Sequence, residues 1–461
     1  MTQVRGGQFR FAPIPQEDAS GFRGYAEKVF APASGAEAAA ILAEAASGRI
    51  PVTVAGAGTG LTGGSVAQGG WVLSTEKLRA LGIRSGSAIA GAGLPLKDLH
   101  DAARRAGQLY APDPTENTAA VGGAIATNAS GARSFRYGAT RRHVIALEVA
   151  LMDGSLRRFR RGEKIDFDVP AIPLPATTKN TAGYALTPGM DWVDLFIGSE
   201  GTLGVVTEAE LLLLPAVREL LTGVVFFPAD AEAAGAVAQW SPVPGLRMLE
   251  YFDSASLDLL RSAYPEIPES AGAALLFEQE LQSEDDADPW TSRIEAVGGD
   301  MEASWFASSD ADRERFRRFR HALPEKVNDT VRRNGFMKLG TDYAVPLPRN
   351  QEMLSLYHSR LQPEFAGRYV IFGHIGDAHL HVNLLPASQD EFDRGREALL
   401  DLARTAVALG GTVSAEHGLG KRKRALLEIQ YSREHFDAMR EVKLRLDPQW
   451  LLGQGNLFSM K

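Results

Sequence analysis

Through the first half of the chain, short runs of apolar and β-branched residues alternate with glycine-rich turns. The runs PVTVAG, GWVLST, VIALEVALMDG and DLFIGSEGTLGVVTEAELLLL read as buried strands bounded by tight turns. Between them, GAEAAAILAEAAS is alanine-rich behind Ser34, a natural N-cap, and LKDLHDAARRAG is a helix that Gly107 ends. Alternating helices and strands put this region in an α+β or α/β class. Beyond Pro215, ELLTGVVFFP predicts a strand and DAEAAGAVAQWS a helix. The charged stretch SSDADRERFRRFRHALPEKVNDTVRRNG predicts a mostly exposed helix interrupted near Pro324, because proline removes an amide donor and crowds the preceding turn. REHFDAMREVKLRLDPQW is an amphipathic helix stopped at Asp447-Pro448. The expected organisation is residues 1–215, 216–430 and a C-terminal helical segment, 431–461, packing back on the first part.

One hairpin pattern carries chemistry. RYVIFGHIGDAHLHVNLLP reads as a strand, a turn at Gly376-Asp377 and a second strand. Period-two alternation puts His379, His381 and Asn383 on one face and Leu380, Val382 and Leu384 on the other, toward the core. His374 lies just before the turn, where it meets them across the hairpin. SAEHGLGK then sets Glu416 beside His417. A single such histidine is most simply a core residue bonded to backbone. Imidazoles gathered with a carboxylate are instead the ligand set of a catalytic divalent metal site with open positions.

Composition narrows the classes. The 461 residues are 44% hydrophobic and 23% charged, an ordinary globular balance. The formal charge of −8 excludes the basic surplus of a nucleic-acid binder. No apolar run approaches the roughly 18–20 residues of a membrane span, and MTQVRGGQFRFAP lacks the apolar stretch of a secretory signal. The expectation is a cytoplasmic protein. With no cysteine there is no disulfide, thiolate nucleophile or Cys-held iron–sulfur cluster. Redox chemistry would need an organic cofactor or a metal held by nitrogen and oxygen.

The loop PVTVAGAGTGLTGGSVAQGG contains G-x-G-x-x-G at Gly58, Gly60 and Gly63, with Glu76 near the distance of a ribose-binding acid. A Rossmann site also needs a helix opening at the third glycine. Gly63-Gly64 and Gly69-Gly70 disfavour one, so the loop reads as an anion-binding nest of exposed amides. PDPTENTAAVGGAIATNASGARSFRYGATRRHVIALEVALMDG and KNTAGYALTPGMDWVDLFIGSEGTLGVVTEAELLLLP supply two further small-residue walls.

Together these three stretches resemble the FAD-binding domain of the vanillyl-alcohol-oxidase/p-cresol-methylhydroxylase flavoprotein superfamily. With the C-terminal half, the chain from about residue 28 onward resembles its FAD-linked D-2-hydroxyacid dehydrogenase branch, which includes D-lactate dehydrogenase, the glycolate oxidase flavin subunit and D-2-hydroxyglutarate dehydrogenase. The resemblance implies an α+β fold, with a FAD-binding domain of two α/β subdomains and an α/β cap domain built on an antiparallel sheet. It implies that Gly56, Ala57, Gly58, Thr59, Gly60, Leu61, Thr62, Gly63 and Gly64 wrap the pyrophosphate. Pro112, Asp113, Gly122, Gly123, Thr127, Asn128, Gly131, Tyr137 and Gly138 would line the isoalloxazine and ribityl path. Glu200, Gly201 and Val206 would approach the adenosine. No histidine stands in the first loop, so FAD is expected to be non-covalent.

The family's H-x-G-D-x-x-x-H pattern matches His374, Gly376, Asp377 and His381, and its E-H pair matches Glu416-His417. The implied roles are His374, His381 and Glu416 as ligands of a divalent metal, zinc being favoured over manganese or iron(II). His417 would be the base, Asn383 a substrate contact and Arg320 the carboxylate clamp. By composition alone Arg317 or Arg318 competes with Arg320. The implied reaction converts a D-2-hydroxy acid to the 2-oxo acid, with the metal polarising the hydroxyl and hydride passing to flavin N5. Electrons would leave to a partner protein, a quinone or a soluble carrier, which allows a location peripheral to the inner face of a membrane.

Three positions depart from the pattern. Ala378-His379 stands where relatives commonly have Gly-Asn, so His379 replaces the Asn or enters as another ligand. Pro324 replaces a Thr and only Lys338 offers a second-carboxylate contact, which favours a lactate- or glycolate-sized substrate. Gly453-Gln454-Gly455-Asn456 replaces N-P-G-K. Alternatives are an alkylglycerone-phosphate-synthase-like reaction, whose triple-histidine signature is missing here, or a flavin-carrying subunit of a larger oxidase.

Overall fold

The computed structural model describes residues 14–460. Residues 1–13, read above as free of a secretory apolar stretch, lie outside the described residues. The first layer is a parallel three-stranded sheet in the order Lys28–Phe30, Trp71–Ser74, Val52–Ala55. The helix Gly35–Gly48 covers it. Ser34 accepts from the Glu37 amide at 3.2 Å, and the chain leaves through Arg49 in the left-handed region (φ 52°). Ala38, Leu42 and Ala45 of this helix bury against Val52 and Leu73. The C-terminus returns to the same layer: the Val52 amide donates to the Leu451 carbonyl at 2.8 Å, and Leu452 is fully buried in that cluster. The helix Arg433–Leu446 leads there, with Lys443 Nζ held 2.6 Å from Asp447 Oδ2 where the helix stops.

A second, antiparallel sheet runs Leu156–Arg160, Val144–Ala150, Val205–Leu212, Ser87–Gly91, Leu81–Arg84. The run DLFIG, expected to extend a strand, is instead the end of a short helix, Trp192–Phe196. Asp191 caps it by accepting from the Asp194 amide at 2.8 Å, and that local bond decides against extension. No helix opens at Gly63, in keeping with the rejection of a Rossmann loop.

The third sheet has seven strands in the order Asp300–Phe306, Glu219–Phe227, Ala273–Leu281, Leu246–Asp253, Tyr369–His374, His379–Leu384, Leu339–Gly340, all neighbours antiparallel. The long charged helix is not interrupted: it runs unbroken from Asp310 to Arg333 through Pro324. Proline in a helix interior costs about 3 kcal/mol. Phe316, Phe319, Leu323, Val327 and Val331 are buried against Val224, Phe226 and Phe252 of the sheet, at roughly 1.5–3 kcal/mol per side chain. Packing therefore wins over propensity. Among the described residues, no helix is long and apolar enough to cross a membrane.

Candidate active site

The glycine loop after Ala55, the segment 114–130 and the turn 199–206 line one cleft that is partly open to solvent. Gly56, Ala57, Gly58, Thr59, Gly60, Leu61, Thr62 and Gly64 form one wall, Gly122, Gly123 and Thr127 a second, and Glu200, Gly201 and Val206 a third. A Cβ at Gly58 or Gly123 would meet nothing within 4 Å, so both glycines leave the cleft unobstructed. The amides of Gly58, Thr59 and Gly60 donate to no described residue, which leaves them free for an anion.

The other expected cofactor residues have partners within the protein. The Gly63 amide donates to Asp18 at 2.8 Å, and the Pro112 carbonyl is bonded to His100 at 2.9 Å. Asp113 pairs with Arg133, and Gly131 presses on the Asp113 carbonyl so closely that a Cβ would lie 2.1 Å from its oxygen. Asn128, itself at φ 47°, accepts from the Arg141 amide. The Tyr137 carbonyl is held by His143, and Gly138 turns the chain at φ 78°. These contacts anchor the chain around the cleft wall. Asn456, in the segment that departs from N-P-G-K, supports it too, donating to the carbonyls of Gly64 and Glu200 at 3.0 Å each.

One end of the cleft is closed by Glu416 and His417. The hairpin register, His374 opposite His379 and Phe372 opposite His381, brings three imidazoles to Glu416. His374 Nε2 lies 3.3 Å from Glu416 Oε1, His379 Nδ1 4.0 Å from the same oxygen, and His381 Nε2 4.0 Å from Oε2. Each ring spends its other nitrogen on a different acceptor: His374 Nδ1 on Glu250 at 2.5 Å, His379 Nε2 on Asp342 at 3.1 Å, and His381 Nδ1 on the Thr341 carbonyl at 3.3 Å. This is how metal-ligating histidines are oriented. The four donor groups lie within 4.8 Å of one another, and His379 Nδ1 is buried without a hydrogen-bond partner. The residues present fit a divalent cation.

Charge in this pocket is tightly coupled. Burial works against the carboxylate of Glu416, but His374 and Lys179 outweigh it and hold its pKa well below the usual range. Lys179 is fully buried and donates to Glu416 Oε1 at 2.7 Å and to the Gly131 carbonyl at 3.0 Å, with Asp377 Oδ2 at 3.1 Å. Burial, with the neighbouring imidazoles, pushes His381 well below its ordinary value, so it is neutral and able to ligate. Burial also lowers His417, although Asp342 opposes the shift. At neutral pH His417 is therefore an unprotonated imidazole. Asp342 accepts from the His417 amide at 3.0 Å and from Ser414 Oγ at 2.9 Å, with His417 Nδ1 at 3.4 Å.

Arg320 faces the centre from the long helix, Nε 2.7 Å from Glu250 Oε2 and Nη1 3.4 Å from Thr115 of the cleft wall. Arg317 and Arg318 are on the exposed face, Arg317 paired to Glu314. Asn383 is buried with Nδ2 unpartnered. A Cβ on Gly340 would lie 3.1 Å from Asn383 Oδ1 and 3.6 Å from Lys338 Cε, which places exposed Lys338 beside Asn383. Glu250, Asp342 and Lys179 were not singled out from sequence. The available signal was an acid inside the apolar strand LRMLEYFD and, for Asp342, its place two residues after the edge strand Leu339–Gly340.

Small residues lining a cleft that Glu416 and His417 close, beside an antiparallel sheet that carries a histidine hairpin, define a two-part flavoprotein. The match to known families agrees. Residues 26–160 match a family of FAD binding domains, and residues 217–457 match the C-terminal domain of FAD linked oxidases. The chain is 33% identical to a D-lactate dehydrogenase of Archaeoglobus fulgidus, covering 93% of this chain and 90% of that one. It is 31% identical to the glycolate oxidase subunit GlcD of Bacillus subtilis, covering 94% and 89%. A D-2-hydroxyglutarate dehydrogenase of Xanthomonas citri is 30% identical, covering 93% and 88%. The fold is shared with a solved alkyldihydroxyacetonephosphate synthase at TM-score 0.66 and 16% identity, over 92% of this chain and 75% of that one. The chain belongs to the FAD-linked oxidoreductases of this family.

Proposed function

We propose that the protein oxidises a D-2-hydroxy acid of the lactate or glycolate class to its 2-oxo acid. The observation that carries this reading is that His417, a half-buried imidazole, lines the same cleft as the glycine nest and directly follows Glu416, whose carboxylate stands among three imidazoles. When bound, FAD supplies the two-electron acceptor. A divalent cation held by His374, His381 and Glu416 supplies the Lewis acidity that makes an alcohol proton removable near neutral pH. His417 accepts that proton, and Asp342 keeps its ring in position. Arg320 binds the substrate carboxylate while Glu250 holds the guanidinium in place. Asn383 offers its unpartnered Nδ2 to a substrate oxygen, with Lys338 beside it at the substrate end of the site.

Support also comes from the three relatives, whose names give D-lactate, glycolate and D-2-hydroxyglutarate as their substrates. The assignment is tested with His417→Ala. This variant should keep its flavin, seen in the visible spectrum, and lose anaerobic bleaching by D-2-hydroxy acids. Normal bleaching in the variant removes His417 from the reaction.

A further inference from the structure

The residue at which the chain departs from its family's histidine pattern also carries the orphaned nitrogen. His379 is fully buried, donates Nε2–H to Asp342 at 3.1 Å, and so presents Nδ1 as a bare lone pair. That nitrogen has no hydrogen-bond partner and lies 4.0 Å from Glu416 Oε1. A buried acceptor without a partner is unfavourable by roughly 1–3 kcal/mol. The ring is not there for want of room to turn: Asp342 fixes its orientation, and the same carboxylate accepts the Glu416 and His417 amides. Ala378 takes the left-handed conformation at φ 49°, so the hairpin still puts His379 opposite His374 without the family's glycine.

We propose that His379 is a fourth protein ligand, so that the cation is held by His374, His379, His381 and Glu416. The inference rests on the metal reading of the proposed function. Separations of 3.3–4.0 Å between Glu416 and the three imidazoles are of the size expected among ligands bonded at about 2.0–2.2 Å to one first-row ion. All three rings carry the acceptor on the far nitrogen that such ligands use. An asparagine at this position could reach Asp342 but offers no imidazole. This chain should therefore hold its cation more tightly than a His379→Asn variant.

The test uses flavin-loaded protein stripped of metal and titrated with Co(II) alone. X-ray absorption at the cobalt edge on the unaltered protein should count three imidazoles, and two would overturn the proposal. Release of Co(II) to a chelator should be on the order of 10-fold faster or more in His379→Asn, with the flavin spectrum unchanged. An equal release rate refutes the assignment. If the unaltered protein binds no Co(II), the metal reading itself fails and this inference with it. If Co(II) binds with two imidazoles, only the role of His379 falls. The imidazole count needs no variant, so a misfolded His379→Asn leaves the proposal decidable.

Discussion

Replacing Lys179 by Met is the sharpest perturbation of the site's electrostatics. The ammonium is fully buried, 2.7 Å from Glu416 and 3.1 Å from Asp377. At 2.7 Å and an effective dielectric of ~20, the attraction to Glu416 alone is about 6 kcal/mol. Desolvation of the ammonium, absent in the methionine variant, offsets part of it. Removing one partner of a buried pair typically costs about 3–5 kcal/mol, because the other charge stays behind unpaired. Metal-free Lys179→Met should therefore be less stable by about 3–5 kcal/mol at pH 7. Denaturant unfolding, followed by circular dichroism and tryptophan fluorescence with the two transitions required to coincide, measures it. The sign with pH follows from Glu416. Its folded pKa is depressed, so its contribution is complete above the ordinary glutamate range and is lost as pH falls through the folded value. Without Lys179, burial is opposed chiefly by His374, and Glu416 takes up a proton at higher pH than in the parent. The deficit should then be smaller at pH 5 than at pH 7. A loss below about 1 kcal/mol, or one that grows toward pH 5, would refute the reasoning.

Other perturbations separate the roles of neighbouring residues. Asp342→Asn removes the charge that opposes the lowering of His417, so the acidic limb of kcat/KM should move to lower pH while activity falls about 10–100-fold; an unmoved limb contradicts the coupling. Arg320→Lys gives up the planar fork, and KM for the hydroxy acid should rise on the order of 10-fold with flavin content unchanged. Gly131→Ala forces a Cβ to 2.1 Å from the Asp113 carbonyl; thermal melts should show about 1–3 kcal/mol of destabilisation together with weaker flavin retention.

The helical and strand periods of the sequence carried most of the fold, since they survive wherever one face is buried. The long helix shows both sides of this. Its Pro324 signalled a break, yet Phe316, Phe319, Leu323, Val327 and Val331 keep their helical spacing across the proline, and the sheet they bury against decides the outcome. The histidine cluster was legible because a hairpin places neighbours in sequence together in space. Glu250, Asp342 and Lys179 were not, because they reach the site from separate segments of the chain, and only the strand order brings Leu246–Asp253 beside Tyr369–His374. The cleft walls were legible as stretches of small residues. The contacts that hold them were not, because Asn128 accepts from the Arg141 amide and Gly131 is pressed on the Asp113 carbonyl, partners distant in sequence.

The central claim is tested most directly by adding D- and L-lactate, glycolate and D-2-hydroxyglutarate anaerobically to the flavin-loaded protein, with and without added divalent metal, and recording the flavin absorbance. Rapid bleaching by D-lactate or glycolate, slow or absent bleaching by L-lactate, and loss of the response after exhaustive chelation are the predicted results. A flavin that none of these acids bleaches, or that responds to them equally with and without metal, would contradict the account.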